Sequence, residues 1–278
     1  MAKLTRKLWV GIGAATIAGA SLASGAVAQA PAHKGHKAEP TTPGKGTATA
    51  TPQQGGEAYL TDGGPKDTRI RFYRDVELMR GHILIGGQLI ELGAWDEALP
   101  HFLHPTEELY GLMEKYIKMH NITPFRRELQ ALEQAVKAKR KGAYEQALKV
   151  VQQRLDGALA VVKKFMAPSP PRTFTVRSAV EVLRVAQAEY ESSMEDGKFT
   201  KPVEYQDSRG FVWQAERMIE GIAPELEKID AAALAKVRAA FAKLKAGWPA
   251  PMPPAAPLLQ VGQISSIISD IELHISRY

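Results

Sequence analysis

The chain has 278 residues, of which 45% are hydrophobic and 24% are charged, and it contains no cysteine. The lack of cysteine excludes disulfides, thiolate metal sites, cysteine catalysis and a lipoprotein anchor. The formal net charge is +6, but Lys3, Arg6 and Lys7 supply three of these charges at the N-terminus and leave +3 for the rest. No dense basic run with interleaved aromatic side chains is present, so the composition does not favour nucleic-acid binding.

The first 28 residues have the pattern of a secretory signal peptide. A positively charged start precedes an uncharged apolar run over residues 8–30, and residues 26–28, Ala-Val-Ala, form a small-x-small cleavage pattern. The alternative is a retained transmembrane anchor, because the run is just long enough to span a bilayer. No later segment is apolar enough to cross a membrane, so cleavage would leave a soluble periplasmic protein.

We therefore predict export with cleavage after Ala28. Mass spectrometry of the mature N-terminus tests this prediction. A chain that still begins at Met1 in the fractionated envelope would contradict it.

Residues 29–66 are mainly Pro, Gly, Thr, Ala, Gln and Lys, with almost no large apolar side chain. Such a segment cannot bury enough surface to offset the entropy of ordering it. The composition therefore predicts a flexible, disordered tether between the signal segment and the folded part.

From Asp67 onward apolar side chains recur at helical spacing, which predicts an all-α fold of helical hairpins. A proline-rich break at residues 167–171 divides it into two bundle-like halves, residues 67–166 and 172–278. The predicted helices cover Asp67 to Gly93, Trp95 to His120 with a break at Pro105, Pro124 to Gly142, Tyr144 to Phe165, Val176 to Glu195, Pro202 to Ile222, a shorter pair over Pro224 to Gly247, and Val261 to Ile275. We expect Gly93, Gly142 and Gly197 each to end a helix, and we expect no strand.

Two short stretches, residues 93–99 and 142–148, match almost position for position. Both resemble the turn between the two helices of a tetratricopeptide repeat. Their spacing of 49 residues exceeds the usual period of about 34, so a regular solenoid is not supported. These turns favour an alternative function, a metal-free helical module for protein interactions.

The first group of candidate ligands comprises His82, His101, His104 and Glu108. With the first hairpin turning at residues 93–94, His82 and His104 lie at nearly the same height on facing helices. His101 and Glu108 lie within a turn of His104, at i−3 and i+4. Three imidazoles and a carboxylate between facing helices suit Zn, Fe, Cu or Ni. The alternative is that His101 and His104 are partly buried and bond to backbone near a kink.

The second group is acidic and comprises Glu189, Asp196, Glu204 and Asp207, around a turn at Gly197. Glu189 and Asp207 are roughly equidistant from this turn, so they should face each other, with Glu204 one helical turn before Asp207. Facing carboxylates repel unless they bind a hard cation or are solvated. We rank this group first and treat it as independent of the histidines. The double variant Glu204→Gln/Asp207→Asn should then be at least as stable as the wild type in the absence of metal.

A resemblance to a known family falls on the same hairpin. The residues that carry it are Tyr190, Asp196-Gly197, Glu204-Tyr205 and Asp207. They resemble a motif, Asp-Tyr, Asp-Gly and Glu-Tyr-x-Glu, in the periplasmic helical module of some bacterial high-affinity iron permeases. Glu189 and Asp207 replace the first Asp and the last Glu of that motif, which keeps both carboxylates. The resemblance covers about residues 179–222, and the whole chain also resembles a family of exported proteobacterial helical proteins of unassigned activity.

This resemblance implies a relative of the extracytoplasmic part of such a permease, because the permease's own Arg-Glu-Gly-Leu-Glu motif is absent. It implies iron or another divalent transition metal as ligand and an envelope metal-transport protein as partner. Phosphate-binding loops and the Gly-x-Ser-x-Gly and His-Glu-x-x-His motifs are missing, so no catalytic residue is predicted. The sequence thus predicts a periplasmic, iron-related metal-binding protein, accessory to envelope metal uptake or homeostasis.

Overall fold

A computed structural model describes Leu60 and residues 64–165 and 171–278. The predicted signal peptide, the tether apart from Leu60 and residues 64–66, and the break at residues 167–170 lie outside the described residues. The elements in chain order are α1 (Thr68–Glu91), α2 (Trp95–Ala98), α3 (Pro100–His104), a π-helical segment (Pro105–Leu109), α4 (Tyr110–Met119), α5 (Arg126–Lys137), α6 (Lys141–Lys164), α7 (Pro171–Ser192), β1 (Met194–Glu195), β2 (Lys198–Phe199), α8 (Pro202–Gly221), α9 (Ala223–Lys245) and α10 (Val261–Ile275). The predicted all-α class is confirmed.

Helix α1 begins and ends as its sequence predicts. The Asp67 side chain caps its first turn by accepting a hydrogen bond from the backbone N–H of Arg69 at 2.9 Å, which satisfies one of the free amides at a helix start. After the last turn, Gly93 takes a φ of +79°, a left-handed conformation that glycine adopts without steric cost. Helix α2 then begins at Trp95.

The prediction that Gly142 ends a helix is wrong. Helix α5 already ends at Lys137, and Lys139 takes the left-handed conformation with a φ of 53°. Its backbone N–H donates to the carbonyl of Val136 at 2.8 Å, which closes the helix end. The next helix starts at Lys141, so Gly142 lies in the first turn of α6. Helix α5 also begins two residues after Pro124, where the sequence placed the first helical position.

The expected absence of strands is also wrong at one place. Helix α7 ends at Ser192, and β1 pairs antiparallel with β2, with Met194 opposite Phe199. Asp196 and Gly197 form the two-residue turn with φ values of 51° and 72°. Positive φ at both central residues is the tight hairpin turn that an Asp-Gly pair favours. This dipeptide was therefore a hairpin signal, and Gly197 does not end a helix.

Helices α7 to α10 form a closed bundle, in which each helix contacts the next and the last contacts the first. Helix α7 packs on α8, α8 contacts α9, α9 packs on α10, and α10 returns to contact α7. Asp230 interrupts α9 with non-helical backbone angles, in agreement with the shorter pair of helices predicted there. Helix α1 packs against both α7 and α8, so helices from both predicted halves share one core. Of the helices in the described part of the chain, none combines the length and apolar character needed to cross a membrane.

Candidate metal centre

Helices α1 and α8 touch through two glycines. A Cβ atom on Gly210 would lie against the carbonyl oxygen of Gly81, well inside van der Waals distance. A Cβ on Gly81 would come within 2.5 Å of Cδ1 of Phe211. Only hydrogen at both positions allows this approach. The contact brings His82, which follows Gly81 on α1, next to Asp207, which lies one turn before Gly210 on α8.

Helix α3 supplies two more imidazoles from a short, proline-bounded turn. Pro100 occupies the first helical position, where a missing N–H costs little. The spacing of three residues places His101 and His104 on one helical face. Pro105 has no N–H to continue the α-helical ladder, and the chain passes into the π-helical segment that carries Glu108. The helix therefore does not break at Pro105 as predicted, but continues with the wider turns of a π-helix.

Asp207 is the centre of the cluster. Its Oδ1 lies 2.6 Å from Nδ1 of His82 and 2.7 Å from Nδ1 of His101. Its Oδ2 lies 3.1 Å from Nδ1 of His104. The Asp207 side chain is buried, as are those of His82 and His101, and His104 is partly exposed. The sequence placed Asp207 in a separate acidic site, whereas the structure joins the two predicted groups through this one carboxylate.

Gln206 completes the hydrogen bonding of His101. Its Oε1 lies 2.9 Å from Nε2 of His101, so both ring nitrogens of this fully buried imidazole face oxygen acceptors. His101 therefore has no nitrogen left for another ligand in this arrangement. Gln206 was not predicted from the sequence, because consecutive helical residues point in different directions and no pattern marked it as a partner of the histidines.

Burial and charge act in opposite directions on these groups. Burial would raise the pKa of Asp207, but the three surrounding histidines lower it well below its usual range. Burial lowers the pKa of His82 more than Asp207 raises it. For His104 the carboxylates outweigh burial and raise the pKa to about 9. At neutral pH the cluster thus holds an ion pair between Asp207 and His104 and a neutral His82.

Two further carboxylates surround the exposed side of His104. Oε1 of Glu108 lies 3.6 Å from Nε2 of His104. Glu189, half-buried on α7, has its pKa raised well above the usual range by burial and by the charges of Asp207, Glu204 and Glu108. The half-buried Glu204 lies in the first turn of α8. Asp196 is exposed in the turn between the two strands, and it belongs to neither donor set among the described residues.

The donor atoms form two overlapping sets that could hold a metal ion. In each set, one ligand atom per residue lies within 4.8 Å of the others. The first set is His82, His101 and Asp207, and the second is His82, His104 and Glu108. Hydrogen bonds already occupy the atoms of the first set. In the second, the 3.6 Å gap between His104 and Glu108 is longer than a hydrogen bond and suits two ligands that each lie about 2.1 Å from one ion.

The sequence of the C-terminal part matches a known family. Residues 170–278 match the iron permease-associated 4-helix bundle domain. The match spans α7 to α10, so it contains and extends the stretch over which the sequence resembled the helical module of iron permeases. That resemblance is confirmed. No curated protein matches the chain, and no solved structure does.

The matched region supplies only part of the cluster. Asp207 and Glu189 lie within residues 170–278, on α8 and α7. The three histidines and Glu108 lie on α1, α3 and the π-helical segment, outside the matched region. The candidate centre thus lies where the matched region meets the N-terminal helices of this chain.

Proposed function

We propose that this protein binds a divalent transition metal ion, iron in the first place, between α1, α3, the π-helical segment and α7. The ligands are Nε2 of His82, Nε2 of His104 and the Glu108 carboxylate, with Glu189 as the fourth. The observation that carries the proposal is the second donor set, whose ligand atoms converge within 4.8 Å beside a further carboxylate. Two imidazoles and two carboxylates suit a borderline metal ion and exclude thiolate-dependent sites.

Asp207 has an orienting role in this proposal. It accepts hydrogen bonds from Nδ1 of His82 and His104, which fixes the ring orientation and directs Nε2 of each away from Asp207. Because His104 is protonated at neutral pH, its Nε2 binds metal with the loss of a proton. Carboxylate–histidine–metal arrangements of this kind are common, and the carboxylate increases the basicity of the ligand nitrogen. Asp207, first ranked as a ligand from the sequence, is therefore assigned to orientation, and Asp196 and Glu204 to no ligand role.

Two independent features support iron as the bound metal and the cell envelope as the location of the protein. Residues 170–278 match a domain whose description is iron permease-associated, and the N-terminal residues have the pattern of an export signal. We infer that the protein works in the periplasm as an accessory to metal uptake or homeostasis. Its partner is then a metal-transport protein of the envelope.

The alternative function is a metal-free module for protein interactions in the periplasm. It is favoured by the completeness of the hydrogen bonds around Asp207, which needs no ion to satisfy the buried carboxylate. In this alternative the histidines serve only to hold α1, α3 and α8 together. The two functions differ in whether a metal ion stabilises the fold.

We expect Fe²⁺ to raise the melting temperature of chelator-treated protein. A ligand that binds only the folded state stabilises it by about 2.7 kcal/mol at a hundredfold excess over Kd. Glu108→Gln keeps the shape of the side chain and removes a charged ligand, so we expect it to lose most of this shift. Differential scanning calorimetry with Fe²⁺, Mn²⁺, Zn²⁺ and Cu²⁺ at matched ionic strength measures the effect.

The matched control is Glu107→Gln, on the adjacent and exposed residue of the same π-helical segment. It removes the same charge from the same segment and should keep the full shift. An equal metal response in the wild type and in Glu108→Gln would exclude this site. The absence of any metal response in the wild type would favour the interaction module.

A further inference from the structure

The candidate centre contains a second set of donors, which the proposed iron site uses only in part. This inner set comprises His82, His101 and Asp207, and one ligand atom from each lies within 4.8 Å of the others. Nδ1 of His82 and Nδ1 of His101 lie 2.6 Å and 2.7 Å from the same atom, Oδ1 of Asp207. All three side chains are buried, whereas His104 and Glu108 are partly exposed. The inner set therefore offers three convergent donors away from solvent.

His101 forms two contacts that together need two protons. Its Nδ1 faces a carboxylate oxygen of Asp207 at 2.7 Å, and its Nε2 faces Oε1 of Gln206 at 2.9 Å. Both oxygens can only accept, but a neutral imidazole has one N–H and one lone pair. When the ring donates to Gln206, the lone pair of Nδ1 points at the carboxylate. A metal ion between Nδ1 and Oδ1 replaces this repulsion by two ligand bonds.

Gln206 holds His101 in the orientation that a metal ligand needs. Its Nε2 donates to Sδ of Met252 at 3.4 Å, which turns Oε1 towards the imidazole. A histidine that binds metal through one ring nitrogen almost always donates its other N–H to an oxygen or a water. The buried amide oxygen of Gln206 gives His101 that partner. Met252 and Gln206 thus support Nδ1 of His101 as a ligand.

The distances and the existing hydrogen bonds favour one kind of ion. Two donors that lie about 2.1 Å from one ion and at right angles are about 3 Å apart. The Oδ1–Nδ1 distances of 2.6 Å and 2.7 Å therefore need to open by only about 0.3–0.4 Å. The ion must also displace the protons of these hydrogen bonds. Because affinity for nitrogen and oxygen donors increases from Fe²⁺ to Cu²⁺, the inner set favours Cu²⁺.

We propose that the inner set binds Cu²⁺ through Nδ1 of His82, Nδ1 of His101 and Oδ1 of Asp207. Gln206 is a positioning residue that accepts a hydrogen bond from Nε2 of His101. Because the inner set and the proposed iron site both contain His82, an ion in one excludes an ion in the other. Copper then competes with iron for the protein. This competition rests on the proposed function, whereas the copper site itself does not.

Two variants with opposite metal responses test the proposal. The full chain carries His33→Gln and His36→Gln, which remove the two histidines that precede the described residues, and is treated with chelator. One equivalent of Cu²⁺ should raise its melting temperature in differential scanning calorimetry. Glu108→Gln should keep this Cu²⁺ shift while it loses most of the Fe²⁺ shift. Gln206→Met keeps the side-chain length without the oxygen, so it should bind Cu²⁺ at least tenfold more weakly in isothermal titration calorimetry and keep the Fe²⁺ shift.

Gln206→Glu separates positioning from packing, because it keeps an oxygen that can accept from Nε2 of His101. It should bind Cu²⁺ at least as tightly as the wild type. Wild-type Cu²⁺ affinity in Gln206→Met, or loss of the Cu²⁺ shift in Glu108→Gln, would overturn the proposal and leave the iron site standing. A Cu²⁺ shift that depends on Gln206, in a protein that shows no Fe²⁺ shift, would support the copper site and contradict the proposed function.

Discussion

Asp207→Asn is expected to destabilise the metal-free protein by about 3 kcal/mol. The carboxylate is buried and lies within 3.1 Å of three imidazoles. An amide has the same shape, but it has no charge to pair with His104, and its NH₂ group cannot accept from an imidazole N–H. Removing one partner of a buried pair leaves the other uncompensated. Urea denaturation in the presence of a chelator measures the loss.

The pH dependence of this difference identifies its cause. A carboxyl group whose pKa is lowered by folding stabilises the folded state at pH values above its pKa in the unfolded chain, about 3.9. This stabilisation is lost as the pH falls through the pKa of the folded state. The pKa of His104 is raised to about 9 in the folded protein. Its charged ring stabilises the folded state in full below the pKa of the unfolded chain, about 6.5. This contribution is lost as the pH rises through 9. The difference in unfolding free energy between wild type and Asp207→Asn should therefore be largest between about pH 4 and 6.5. It should shrink as the pH rises to about 9 and change little above that.

The control is Asp96→Asn, which removes a carboxylate from an exposed pair with Lys139. Exposed pairs contribute little, so its effect should stay below about 1 kcal/mol. If Asp207→Asn proves as stable as the wild type at pH 6, the hydrogen-bonded cluster does not exist as described. That result would instead support the expectation from sequence, in which Asp207 faces only other carboxylates.

The sequence predicted most of the helices because their signals are local. Asp67 caps α1, Gly93 takes the left-handed conformation after it, and the isoleucines of α10 recur at helical spacing. The predictions that Gly142 and Gly197 each end a helix were wrong, and the reasons are local as well. In the first case Lys139 adopts the left-handed conformation that glycine was expected to supply, and in the second the Asp-Gly pair makes a hairpin turn.

The site was harder to predict because its centre depends on a contact between distant helices. The spacing of His82, His101, His104 and Glu108 is readable within one hairpin, and the structure brings these residues together. Asp207 follows them by about a hundred residues, and hairpin geometry could pair it only with its sequence neighbours. The sequence showed Gly81 and Gly210 only as helical glycines, which usually weaken a helix. Their contact in three dimensions makes one centre from two predicted groups.

Gly210→Ala is expected to destabilise the protein by about 3 kcal/mol or more, because the added methyl group would meet backbone atoms. Its Cβ would lie against the carbonyl oxygen of Gly81, which cannot move without shifting α1. Gly81→Ala should cost less, because its Cβ would meet the ring of Phe211, and a side chain can adjust more readily than a helix. Chemical denaturation of both variants tests this order.

Gly157→Ala provides the control, because Gly157 lies in the middle of α6 and a Cβ there would have nothing within 4 Å. Alanine is the better helix former, so this variant should gain about 0.5–1 kcal/mol. In Gly210→Ala, separation of α1 from α8 should also draw His82 away from Asp207 and weaken the metal response along with the fold. A Gly210→Ala protein with wild-type stability would show that α1 and α8 do not touch at these glycines, and the assembly of the metal centre from both helices would then lose its structural basis.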